Sequence, residues 1–132
     1  MKIHWIRAFV AALLVEAVLV VITIPITRVV SMEAFVPFVG PVCFVVAFPF
    51  GMWAVKKAES GFVLHGVLVG VIATLMYLGL VLQQLGSLAP VIALYGPFLF
   101  FLANALKILG CVTGAYAAGR RRVQGMKMGF TA

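Results

Sequence analysis

Residues 7–27 read RAFVAALLVEAVLVVITIPIT, an apolar run with one acidic residue, Glu16, near its middle. An α-helix needs about 20 predominantly apolar residues to cross a hydrocarbon core. Three further runs of that length follow, at about 35–55, 62–85 and 97–118. Inside lipid each backbone N–H and C=O must find its partner within the protein, which a helix achieves within its own segment. A closed barrel would need shorter stretches of alternating apolar and polar residues. The string Val18-Leu19-Val20-Val21-Ile22 does not alternate. The sequence therefore predicts an all-α polytopic membrane protein, a four-transmembrane-helix up-down bundle over residues 1–119 with a basic tail at 120–132.

Composition agrees with that reading. Apolar residues make up 65% of the 132 residues, against about 45–50% in soluble proteins, and the mean hydropathy is +1.24. The net charge of +7 is informative through its placement. Lys2 and Arg7 precede the first run, Lys56 and Lys57 lie between the second and third, and Arg120, Arg121, Arg122 and Lys127 follow the fourth. Alternating crossings put all of these on one side and leave only Arg28 on the other. Basic residues concentrate in cytoplasmic loops, so both termini are predicted to be cytoplasmic, in a bacterial inner membrane. Arg120, Arg121 and Arg122 are expected to meet anionic lipid head groups, each contributing about 1 kcal/mol near a charged surface. A short basic tail supplies only non-specific attraction to a polyanion, so no nucleic-acid partner is expected. The first run is longer than a signal-peptide core and contains Glu16, which predicts a retained helix.

The connections are short and favour antiparallel neighbours. Ser60 is the expected N-cap of the third helix. The segment 88–119 is too long for one perpendicular crossing at about 1.5 Å per residue; Gly96-Pro97 offers a break, with 87–95 as an interfacial segment. A single tilted helix is the alternative. The tail after Gly119 is expected to be mobile. The second run holds Pro37, Pro41 and Pro49, each of which removes a helix donor, so this helix is expected to bend, and a bent helix can line a cavity. Trp5 and Trp53 suit one aromatic belt, and Gln83 and Gln84 the opposite interface.

Gly66 and Gly70 form one G-x-x-x-G, and Gly110 and Gly114 another; Ala8, Ala12 and Glu16 repeat the spacing. Small residues let helices approach closely in lipid. The motif serves a single bundle, a homo-oligomer or a larger membrane complex equally. Cys43 and Cys111 form no Cys-x-x-Cys, and no Cys/His spacing suits zinc; they are expected to pack, with no metal or cofactor.

The chemistry rests on two intramembrane charges. A charge at a helix centre costs about 2.5–3.5 kcal/mol on insertion scales, so such residues seek partners. Glu16 lies about 13 Å along its helix from Arg7, and Lys107 about 20 Å from Arg120. A lysine side chain covers that difference, which predicts an interhelical ion pair. Asn104, one turn away, is expected to bond to either partner. Phe100, Asn104, Lys107, Cys111 and Gly114 form one stripe, the predicted inward face. His65 is either a proton relay or a histidine bonded to a carbonyl.

The string Ala11-Ala12-Leu13-Leu14-Val15-Glu16 resembles the first-helix glutamate setting of the small multidrug-resistance exporters. The chain departs from their pattern: Tyr77 stands in the third run without a tryptophan, the loop charge is biased to one side, and Lys107 has no counterpart. The layout resembles more the small four-span bacterial integral membrane proteins of unknown function. Trp5-Ile6-Arg7-Ala8, Gly61-Phe62-Val63-Leu64-His65-Gly66 and Tyr95-Gly96-Pro97-Phe98-Leu99-Phe100 carry that resemblance, which implies no activity. No nucleophile–base pair, metal triad or phosphate loop supports an enzyme. The expected function is that of a small non-catalytic membrane protein with a structural, oligomerising or accessory role. The alternative is a proton- or cation-coupled transporter or channel using Glu16 with Lys107 and Asn104. Epitope tags at either terminus are expected to be shielded in intact spheroplasts and to become reactive on permeabilisation; reactivity in intact cells reverses the orientation.

Overall fold

A computed structural model of the protein describes residues 2–131. The chain forms five helices: α1 (Trp5–Val29), α2 (Met32–Ala54), α3 (Phe62–Leu85), α4 (Ala89–Tyr95) and α5 (Pro97–Thr131). Four of them, all except α4, are long and apolar enough to cross a membrane, and the protein is a multi-pass helical bundle. Every expected crossing is present. The first two helices reach slightly beyond 7–27 and stop just short of 55, respectively.

The break predicted near Gly96 is real. Gly96 has φ 77°, a conformation that a side chain disfavours, and Pro97 opens α5. The short α4 therefore lies apart from the crossing and packs over α2 and α5. The tail after Gly119 is helical: α5 runs through 35 residues to Thr131. At about 1.5 Å per residue it is about 50 Å long, well beyond a hydrocarbon core of about 30 Å. Ser60 does not cap α3. The N-cap is Gly61, in left-handed conformation at φ 67°. Ser31 caps α2 instead, its hydroxyl accepting from the Ala34 N–H at 3.3 Å.

The helices follow each other in space as α1, α2, α5, α3. The edges α2–α5, α3–α5, α1–α3 and α1–α2 carry the packing, α2 and α3 touch more sparsely, and α1 and α5 face each other across a diagonal. Two edges are parallel: Gly110 meets Phe44 and Gly114 meets Phe48, so α2 and α5 run the same way. Trp5, Ala54, Phe62 and Gly119 share one end, here the basic end, since Lys56, Lys57, Arg120 and Arg121 gather there. The opposite end carries α4.

Small residues produce the close edges. A Cβ on Gly70 would lie 2.6 Å from the Ile108 Cα, one on Gly66 2.7 Å from the Val112 Cα, and one on Gly110 2.6 Å from the Phe44 carbonyl oxygen. On Gly114 it would overlap the Phe48 carbonyl oxygen. Both glycine motifs are thus spent inside one chain, with α5 wedged between α2 and α3. Backbones at this distance gain dispersion contact that replaces the hydrophobic force missing in lipid. The half nearer the basic end is filled by Ala8, Ala11, Ala12, Val15, Ala47, Ala54, Val69, Ala73 and Cys111, all shielded to within 1%.

The prolines of α2 do not point into this packing. Pro37, Pro41 and Pro49 are exposed, while Gly40, Cys43, Ala47 and Gly51 on other faces are buried. The helix stays continuous from Met32 to Ala54, so the donors lost to proline are lost on the outer face. Gly114→Val is expected to cost about 1–3 kcal/mol by overpacking, read as an earlier midpoint in detergent-driven unfolding. Gly79→Ala, with nothing within 4 Å, is expected to gain about 0.5–1 kcal/mol in the same assay.

Candidate functional site

Glu16 reaches the bundle interior because Ala8, Ala12 and Glu16 share one face of α1, and all three are buried. Lys107 reaches it from the stripe of Phe100, Lys107, Cys111 and Gly114 on α5, also buried. The two side chains meet across the diagonal: Lys107 Nζ donates to Glu16 Oε1 at 2.6 Å. Glu16 is 6% and Lys107 3% exposed. The ammonium also stands 4.8 Å from the centre of the Tyr77 ring, where the negative face of the aromatic attracts it. The charge-assisted bond and the ring together replace the water that either ion would otherwise hold.

Asn104 departs from the expectation. Its Nδ2 donates to the Phe100 carbonyl at 3.0 Å, one turn back on its own helix, and it bonds to neither Glu16 nor Lys107. The amide N–H is thus spent on the helix's own backbone, as a short polar side chain within a helix can do. Asn104 nevertheless borders the cavity that the pair opens onto. This cavity has a volume of about 240 Å³ and lies between the pair and α4. Glu16 and Lys107 form its polar floor, Tyr77 and Tyr95 border it, and Leu19, Val39 and Phe100 contribute apolar wall. Burial pushes the Tyr95 phenol above its usual value, with the Cys43 thiol reinforcing the shift; its hydroxyl remains a donor at neutral pH.

Sequence reasoning gave Tyr77 and Tyr95 no part in this site. The available signal was chemical: both are amphipathic aromatics, and Tyr77 sits within an otherwise apolar helix. Cys43 and Cys111 are both free and buried. Among the described residues no group of three His, Cys, Asp or Glu side chains could hold a metal ion.

His65 lies far from the pair, at the basic end, and is fully buried. Its Nε2 accepts from the His4 N–H at 3.3 Å, so Nδ1 carries the proton and donates to the Gly61 carbonyl at 2.8 Å. The imidazole thereby ties the N-terminal segment to the start of α3. Nearby, two arginines donate to carbonyls at the C-terminal end of α2 and in the turn after it, adding to the backbone bonds that Trp53 O accepts from the Lys56 N–H and Val55 O from the Ala58 N–H. Arg7 donates to Trp53 O at 2.7 Å and to Ala54 O at 3.4 Å, with its guanidinium 4.2 Å from the centre of the Trp53 ring. Arg122 donates to Val55 O at 3.2 Å and Ala58 O at 2.5 Å. All three tail arginines expected at lipid head groups, Arg120, Arg121 and Arg122, are exposed, and Arg122 also reaches the α2–α3 connection through these two bonds.

Removing one member of a buried pair strands the other charge, at about 3–5 kcal/mol. Glu16→Gln and Lys107→Met are each expected to destabilise the protein by that order. The double variant is expected to be more stable than the worse single one, as a double-mutant cycle of unfolding midpoints will show.

Compared with protein families, curated proteins and solved structures, the chain matches none.

Proposed function

We propose that the protein is a small non-catalytic integral membrane protein of the bacterial inner membrane, with both termini cytoplasmic and a structural or accessory role in the bilayer. One observation carries this reading: the intramembrane charges are spent on each other at 2.6 Å, between α1 and α5, which share no packed edge. A carboxylate so held works as a clamp. The glycine motifs support the same view, because they close the chain's own bundle and leave association with other proteins to the outer surfaces. Those surfaces are apolar, with Phe9, Leu13, Val21, Phe98, Phe101 and Leu109 all exposed, as a lipid-facing bundle requires.

The cavity favours a second reading, a proton- or cation-coupled transporter in which Glu16, Lys107 and Asn104 hold the coupling ion. It gives the pair access toward the α4 end. Transport also requires a path toward the basic end, where alanines and valines now fill the interior. Adding lipophilic cations to the purified protein is expected to release no protons. Release that Glu16→Gln abolishes would overturn the structural reading and establish the transporter.

A further inference from the structure

The cavity floor has hydrogen-bonding capacity that the fold leaves unused. One Glu16 oxygen takes the Lys107 proton. The other bonds to nothing among the described residues, although the side chain is almost wholly enclosed. Asn104 Oδ1 and the hydroxyls of Tyr77 and Tyr95 are likewise without hydrogen bonds among the described residues. The residues that carry these acceptors and donors all line one space of about 240 Å³. Among the described residues the only buried side-chain polar atom without a partner is Thr74 Oγ1, so these oxygens keep accessible surface, and a guest in the space they border that both donates and accepts can pair with several of them at once.

Charge narrows the guest. The floor carries one negative and one positive group in direct contact, so an anion drawn to Lys107 is repelled by Glu16, and a cation meets the reverse. Either would also surrender its hydration. The walls narrow it further. Beyond the floor they are aliphatic and aromatic, and on α1 they include Val20 and Ile24, each half-exposed on the outer face of the bundle. A guest thus arrives through the lipid by parting those side chains. An engineered apolar cavity of about 150 Å³ admits benzene, and this larger one accommodates a ring with a short chain, or a chain of about eight carbons.

We infer that this cavity binds a small uncharged amphiphile with a hydroxyl head, an alkanol or alkylphenol, taken up from the bilayer. The hydroxyl donates to the second Glu16 oxygen or to Asn104 Oδ1 and accepts from Tyr95 or Lys107. The tail lies along Leu19, Val39 and Phe100. The site goes beyond the structural reading and holds whether or not the ion pair moves a proton.

The test is photolabelling of the full chain in liposomes with a diazirine-bearing octanol, followed by mass-spectrometric mapping. Adducts are expected on Glu16, Tyr77 or Tyr95. Excess octanol should lower them about tenfold, as a site with a real affinity requires, and octane should not. Val20→Trp, at a half-exposed position where the fold tolerates bulk, should suppress the same adducts; Ile24→Trp is the second variant should the first lose its helicity or its single elution peak. Adducts scattered over outward residues such as Phe98 and Leu109 would overturn the inference. So would equal competition by octane, stronger competition by octylamine or octanoate, or undiminished labelling in a folded wall variant. Proton release plays no part in this readout, so the site and the structural reading fail separately.

Discussion

Lys107 Nζ and Glu16 Oε1 stand 2.6 Å apart in the middle of the bundle, and they join the two helices that share no packed edge. α1 rests on α2 and α3, and α5 rests on the same pair from the other side. Within the bundle interior those four edges are built from dispersion contacts, which are short-ranged and tolerate sliding; the Arg7 hydrogen bonds between α1 and α2 lie at the basic end. The ion pair has a fixed length, and it is strong where water is excluded. It therefore sets the rotation of α1 and of α5 about their own axes, because either helix turned by one residue would present its charge to lipid at several kcal/mol.

That constraint divides the interior. On the basic side of the pair the helices converge through alanine, glycine and valine, and the interior is filled. On the other side Leu19, Val39, Tyr77 and Phe100 hold the helices apart, and α4 folds over the opening. A single polar contact thus separates a solid half from a hollow one. The basic end is closed independently, by the His65 imidazole between His4 and Gly61 and by Arg7 and Arg122 on the carbonyls of α2 and its following turn. These arginines add side-chain donors to carbonyls of which two, Trp53 O and Val55 O, already accept from the backbone of the turn, and so tie α1 and α5 to that end of the bundle.

Much of this was legible in the residues. The number of crossings, the break at Gly96-Pro97 and the inward stripe of α5 follow from length, helix-breaking chemistry and period. The meeting of Glu16 with Lys107 follows from their depths along two helices. The role of Asn104 did not follow, because an amide on a helix can turn to its own backbone as readily as to a neighbour. Ser60 misled for a related reason: Gly61 beside it adopts a left-handed conformation that starts α3 without a side-chain cap. The helicity of the tail did not follow either, because glycines at 125 and 129 lower helix propensity while continuity with a long helix sustains it.

The sequence by itself determined the solvent, the secondary structure and the two charges that must find partners, since each is a property of composition and local periodicity in a bilayer. The circular order α1, α2, α5, α3 belongs to the tertiary structure alone. It depends on which small faces come together, and Gly66, Gly70, Gly110 and Gly114 carry the same signature whichever helix they meet. The cavity is decided at that level too, because a hollow is the space that large side chains from five different helices fail to fill, and no single helix encodes it.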